Sequence, residues 1–165
     1  MRSLLSLTAA LAGLTACANA QTLDVSLDSR VAFDASLEAM TPVFDRVCAH
    51  YRVRELSIED LPIAQNSHIQ VDCNGFQHAG QAREAEFVFA DDQLAFVWVL
   101  TDAAEEPGLL AQMHSTYGTP THDTPMFVAF ADDLTALRRD TPEFLFYSAR
   151  IAPMYRGWFD QMAAG

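Results

Sequence analysis

The strongest constraint on the fold lies in residues 85–100. Ala85, Phe87 and Phe89 are separated by single residues, Asp91-Asp92 follows closely, and the stretch from Leu94 to Leu100 is almost wholly apolar. Alternation with a period of two is typical of a strand with one buried face, whereas a continuous apolar run is typical of a strand buried on both faces. The segment therefore predicts an antiparallel hairpin that turns at the Asp pair and places its second strand centrally in a sheet.

Further elements are predicted on both sides of this hairpin. Before it, Thr41-Pro42 is expected to begin a helix that continues to Tyr51, and an alternating strand at 69–73 is expected to end at a turn formed by Asn74-Gly75. After it, the patterns predict a helix from about Glu105 to Tyr117 that stops at Gly118, strands at 126–130 and 143–147, and a last helix opened by Pro153. Helices and strands in this order predict an α+β domain in which helices pack on an antiparallel sheet.

Two segments resemble each other within this pattern. Residues 87–94 read FVFADDQL and residues 127–134 read FVAFADDL. The similarity indicates either two related helix-plus-hairpin units or a coincidence, because an Asp pair after an aromatic strand is an ordinary turn signal.

The first twenty residues have the pattern of a secretory signal peptide. Arg2 precedes an apolar stretch from Leu4 to Ala16, which is shorter than the roughly 20 residues that span a bilayer. We therefore expect residues 1–20 to be removed on export, residues 21–34 to form a polar connector and residues 35–165 to form a single globular domain. The protein is expected in the bacterial periplasm and not in the cytoplasm.

Two cleavage sites overlap, and they lead to different mature proteins. Leu14-Thr15-Ala16-Cys17 resembles the lipoprotein box, which implies that Cys17 becomes a lipidated N-terminus. Ala18-Asn19-Ala20 instead offers the small residues required by an ordinary signal peptidase, and cleavage there yields a soluble periplasmic protein. The sequence is consistent with both the lipidated and the soluble mature protein.

Either cleavage leaves Cys48 and Cys73 as the only pair of thiols. An even pair in an oxidising compartment predicts a disulfide, and the alternative is two buried free thiols.

The charge of the chain excludes some classes of partner. The formal net charge is −12, and a surface this acidic repels nucleic acid and anionic lipid headgroups. We therefore expect no nucleic-acid partner, and contact with a membrane only through a lipid on Cys17.

The sequence contains no recognised catalytic, phosphate-binding or metal-binding motif, and it predicts no cofactor. The weak candidates for binding are four polar residues near predicted turns and helix ends: His78, His114, His122 and Asp123. Zinc needs three or four converging ligands, so these residues form a metal site only if the fold brings the three histidines together. The Asp pairs at 91–92 and 132–133 are candidate calcium ligands, although such pairs more often stabilise turns.

Two classes of function are consistent with these observations. The first is a non-catalytic module, tethered or free, that binds an envelope protein or a small ligand. The second is a periplasmic hydrolase or metal-dependent enzyme that uses the scattered His and carboxylate residues. The sheet face around Phe96 and Trp98 and the last helix are the apolar surfaces considered for the binding module.

If Cys17 is lipidated, the mature protein should partition with membranes, because two or more acyl chains anchor a protein firmly. Changing Cys17 to Ser should release it in soluble form through cleavage at the neighbouring Ala18-Asn19-Ala20 site. Mass spectrometry of the native N-terminus checks this prediction, and an unmodified Gln21 at the N-terminus would contradict it.

Overall fold

The computed structural model describes residues 23–164, so the expected signal peptide, both cleavage sites and Cys17 lie outside the described residues. Within 23–164 the chain forms three α-helices: α1 (Leu37–Val47), α2 (Glu106–Tyr117) and α3 (Ala152–Ala163). It also forms eight strands: β1 (His50–Leu56), β2 (His68–His78), β3 (Gln81–Ala90), β4 (Gln93–Leu100), β5 (His122–Asp123), β6 (Phe127–Phe130), β7 (Thr135–Arg138) and β8 (Glu143–Tyr147).

The strands form one antiparallel sheet in the order β1-β2-β3-β4-β8-β7-β6-β5. Each half of the sheet is a four-stranded meander that follows a helix, and the two halves meet where β4 pairs with β8. The predicted α+β architecture, an antiparallel sheet packed by helices, is confirmed. The predicted hairpin at 85–100 is also confirmed, and β4 lies near the centre of the sheet as expected.

Each face of the sheet carries its own hydrophobic core. The first core lies under α1 and α2, whose buried residues include Phe44 and Met113, and it contains Phe87 of β3 and Phe144 of β8. The second core lies on the opposite face under α3, where Phe159 is fully buried. The molecule therefore has three layers, with two helices on one face of the sheet and one on the other.

The predicted start of the first helix is wrong. Ser36 is the N-cap, its hydroxyl accepts a hydrogen bond from the backbone N–H of Ala39, and the helix begins at Leu37. Pro42 therefore lies inside α1, on its exposed side, where the lost backbone hydrogen bond faces solvent. The helix also ends at Val47, and Tyr51 belongs to β1, a strand that the sequence pattern did not predict.

The turn predicted at Asn74-Gly75 is also wrong. β2 continues to His78, a register shift in its pairing with β3 lies between Asn74 and Phe76, and Gly75 has a φ of +80°. A side chain at Gly75 would lie 2.8 Å from the Cβ atom of Ala49, so the bulge needs glycine both for its conformation and for space.

The predicted disulfide between Cys48 and Cys73 is confirmed, with the two Cα atoms 5.4 Å apart. It links the end of α1 to β2 across a sequence separation of 25 residues. In the chain-entropy model a loop of this size stabilises the folded state by about 3.5 kcal/mol.

The segment predicted as a polar connector packs along the first core from Leu23 to Phe33. Val25 is fully buried, and its carbonyl accepts a hydrogen bond from the Tyr117 hydroxyl at 3.2 Å. The backbone N–H of Ala79 donates to the carbonyl of Asp24 at 3.1 Å. Residues from 23 onward therefore contribute to the packing of the domain.

The two similar segments occupy positions that differ in the two meanders. Residues 87–94 join the third and fourth strands of the first meander, whereas residues 127–134 join the second and third strands of the other. Asp91 and Asp92 both adopt positive φ in a tight turn, whereas Asp132 and Asp133 lie in a short 3-10 helix. The two similar sequence segments therefore adopt different local structures at their Asp pairs.

No helix within residues 23–164 combines the length and the apolar character needed to cross a membrane.

Candidate functional site

Of the four candidate binding residues, His78 is the most deeply buried. Its ring packs against Phe144 and Phe146 at centroid distances of 4.6 and 5.4 Å, and its Nε2 has no hydrogen-bond partner. Burial and the positive charge of Arg83 lower the pKa of His78 to about 4. His78 also lines a pocket of about 660 Å³, bounded by residues 24–30 and the turn between β2 and β3. It is therefore a neutral side chain of the first core at neutral pH.

The remaining three candidates all form hydrogen bonds with residues in the second half of the chain. His114 is exposed on α2, and its Nδ1 lies 3.1 Å from the carbonyl of Gly118. His122 is on β5, and its Nε2 lies 2.9 Å from Oδ1 of Asp160 on α3. Asp123 accepts a hydrogen bond from Arg139 at 2.8 Å. These contacts join the edge of the sheet to the helices and loops beside it.

The fold does not bring His78, His114 and His122 together, because His78 packs in the first core while His122 contacts Phe159 in the second. No three His, Cys, Asp or Glu side chains within residues 23–164 are placed to hold one metal ion.

The first Asp pair has a local structural role. Asp91 accepts hydrogen bonds from the backbone N–H groups of residues 65, 66 and 67, which fixes the loop between β1 and β2 against the hairpin.

The sequence alone did not identify a charged region on the α3 side of the sheet. On that side α3 packs on the second core, while a loop that includes Leu61 covers the ends of the first strands. Between them lies an area with polar and aromatic side chains from six strands, which we call the open face: Arg52, Arg54, Gln70, Asp72, Glu84, Glu86, Trp98, Arg138 and Glu143. Six of these residues belong to strands β1 to β3, and all of the six except Gln70 line a pocket of about 290 Å³ on the polar side of the meander.

Asp72 is the centre of the network in the β1 to β3 part of the open face. Its carboxylate accepts hydrogen bonds from Arg52 at 3.0 Å, from Arg54 at 3.0 Å and from Gln70 at 2.8 Å. Partial burial acts to raise the pKa of Asp72, but these hydrogen bonds outweigh it and the pKa lies below its usual value. Burial and the nearby negative charge of Asp72 together raise the pKa of Glu86.

Glu143 is the centre of the second part of the open face. It begins β8, lies opposite Leu100 of β4 and Arg138 of β7, and is only 6% exposed. Its carboxylate accepts a hydrogen bond from Arg138 at 3.0 Å. Burial raises the pKa of Glu143 to about 7, and the charge of Arg138 only partly opposes this effect. A buried carboxyl group that titrates near neutral pH is a common property of functional sites.

Trp98 connects the two parts of the open face. It lies between Glu86 on β3 and Leu145 on β8 in the same row of the sheet, and the guanidinium carbon of Arg138 is 5.9 Å from the centre of its ring. The ring is half-buried. An aromatic surface beside guanidinium and carboxylate groups can bind a polar ligand or a protein segment by stacking and by charge-assisted hydrogen bonds.

We expect stability to depend on pH through Glu143. The carboxyl of a free Glu titrates near pH 4.5, so between pH 4.5 and about 7 the folded protein keeps a proton that the unfolded chain has lost. The contribution of this group to stability is complete below pH 4.5 and is lost as the pH rises through 7. Changing Glu143 to Gln removes the titration, so the variant should gain about 2 to 3 kcal/mol relative to the wild type across this window, as measured by urea unfolding.

Arg138→Gln gives a second test of the same assignment. Arg138 lowers the pKa of Glu143, so its loss should extend the pH-dependent window to higher pH. Stability curves of the wild type and of Glu143→Gln that run parallel from pH 4.5 to 7.5 would contradict this account of Glu143.

No protein-family model, no curated protein and no solved structure matches this chain. A functional proposal therefore depends on the residues of the chain itself. The open face is the best candidate because it groups guanidinium, carboxyl and indole side chains.

Proposed function

We propose that this protein is an exported bacterial envelope protein, tethered by lipid on Cys17, that acts as a non-catalytic binding module. It binds an envelope protein or a small ligand through the open face. The observation that carries this proposal is the grouping of a buried carboxyl group, Glu143, with the partly exposed side chains of Trp98 and Arg138 on the α3 side of the sheet.

The free-energy cost of burying Glu143 supports a functional role for the open face. A buried carboxylate costs free energy, and replacing buried ion pairs with apolar residues is often neutral or stabilising. Glu143 is buried with its pKa raised to about 7, so its ionised form destabilises the fold at neutral pH. A domain that needed only a stable sheet would gain from an apolar residue at this position, as it has at Leu145 two residues later.

The disulfide supports the proposed compartment. Cys48 and Cys73 form a bond that persists in oxidising environments such as the bacterial periplasm, whereas cytosolic thiols are usually kept reduced. An oxidising compartment agrees with the signal-peptide pattern of residues 1–20.

The alternative function, a hydrolase or metal-dependent enzyme, has one arrangement in its favour. Nδ1 of His122 lies 2.9 Å from the Thr121 hydroxyl, and its Nε2 lies 2.9 Å from Asp160, which is the order of groups in a nucleophile, base and acid chain. However, the Thr121 hydroxyl donates to the carbonyl of Ala129 and accepts from the N–H of Ala131. Because both backbone groups already engage the hydroxyl, we place the binding module first.

Site-specific photo-crosslinking in the native bacterium tests the proposed binding surface. A photoreactive amino acid in place of Glu84 lies on the exposed part of the open face, and one in place of Glu38 lies on the exposed side of α1, over the other face of the sheet. Both positions replace an exposed glutamate, so they are matched controls. We expect a discrete adduct from position 84 and none from position 38, detected by gel shift or intact mass.

The adduct should also depend on the aromatic surface of the open face. Changing Trp98 to Ala in the crosslinking protein should reduce the yield of the adduct at least about tenfold if the indole supplies about 1.4 kcal/mol or more of binding free energy. Equal adducts from positions 84 and 38, or an adduct only from position 38, would overturn the open face as the binding surface.

A further inference from the structure

Arg138 joins Asp140, Glu143 and Trp98. Its Nε and Nη2 donate to the two carboxylate oxygens of Asp140 at 2.7 and 3.0 Å, and its Nη1 donates to Glu143 at 3.0 Å. The same guanidinium lies over the ring of Trp98. The position of Arg138 is therefore set by two carboxyl groups and one indole.

The charges that face Glu143 do not balance. Arg138 on β7 is the positive charge that acts on it, whereas Asp140 in the turn before β8 and Glu86 on β3 add negative charge. Tyr155 on α3 packs on the same side, and burial together with Glu143 favours its neutral form. The guanidinium thus forms a bidentate pair with Asp140 through Nε and Nη2, and its third nitrogen, Nη1, donates to Glu143.

We propose that Glu143 is a protonation switch that sets how firmly Arg138 is held over Trp98. When Glu143 is ionised, Arg138 has anionic partners on both branches of its guanidinium and covers the indole. When Glu143 is protonated, Arg138 keeps only the partly exposed Asp140 as an anionic partner, so it moves more freely and uncovers Trp98.

The switch gives the open face two states at near-neutral pH. In the covered state the indole is occupied by an internal cation, and in the uncovered state it is available to a ligand. This consequence rests on the proposed binding function of the open face, whereas the movement of Arg138 itself does not.

Tryptophan fluorescence reports on the switch without any ligand. The chain has two tryptophans, so Trp158→Phe leaves Trp98 as the single reporter. Quenching of Trp98 by acrylamide should decrease by about twofold as the pH rises from 5.5 to 8.5, since a guanidinium held over the ring limits access to one of its two faces. The midpoint should lie at about pH 7.

Two variants in the Trp158→Phe background separate the switch from other titrations. Glu143→Gln should abolish the change in quenching. Glu86→Gln should move the midpoint to lower pH, because it removes a negative charge that raises the pKa of Glu143. Quenching that is independent of pH while circular dichroism shows a folded protein, or a midpoint unchanged in Glu143→Gln, would overturn the switch.

The two proposals fail in different experiments. Loss of the position-84 adduct at every pH overturns the binding function and leaves the fluorescence change intact. A flat fluorescence titration overturns the switch while the adduct can still form. If both hold, the yield of adduct in the wild type should be higher at pH 6 than at pH 8, and Glu143→Gln should give the same yield at both.

Discussion

The pairing of β4 with β8 is the interaction on which the rest of the structure depends. It joins two meanders that are each a local run of four strands, and its register places Val97 opposite Phe146 and Val99 opposite Phe144 in the first core. The same register places Trp98 opposite Leu145 and Leu100 opposite Glu143 on the other face. A shift by one residue would exchange the two faces of β8 and would point Phe144 and Phe146 toward the open face.

The size of the joined sheet explains why an open face exists. Eight strands at a spacing of about 4.8 Å make a sheet about 34 Å wide, whereas a single helix is about 10 Å across. Within residues 23–164, the first face is covered by α1, α2 and the segment from Leu23 to Phe33, but the opposite face has only α3 and a short loop. The strands that remain uncovered carry charged side chains there, since an apolar surface of that extent would promote association.

The elements that can be predicted best from the sequence are those with a clear local pattern of apolar residues or of residues typical of helix ends. β3 and β4 are recognisable from their aromatic alternation and apolar run, and α2 is recognisable from Pro107 and Gly118 at its ends. The sequence pattern does not predict β1, because Arg52 and Arg54 find their carboxylate partner, Asp72, only in the folded chain. Their partner is about twenty residues away along the chain, so no local pattern reveals the strand.

The candidate site was even less predictable, because it is assembled from distant strands. Glu143 begins the strand that the sequence predicts at 143–147, but its properties depend on two distant residues. These are Arg138, on a strand that the sequence pattern does not predict, and Glu86 from the other meander. The histidines attracted attention because of their residue type, and the fold uses His78 and His122 to pack the two cores. Trp98 was noted only for its apolar character.

The central claim is that the open face holds a buried carboxyl group with too little positive charge around it. Measuring the pKa of Glu143 tests this claim most directly, by following the side-chain carboxyl carbon of Glu143 through a pH titration by NMR and assigning its signal with Glu143→Gln. The account predicts a midpoint at about 7. A midpoint near 4.5, the usual value for a glutamate, would contradict it.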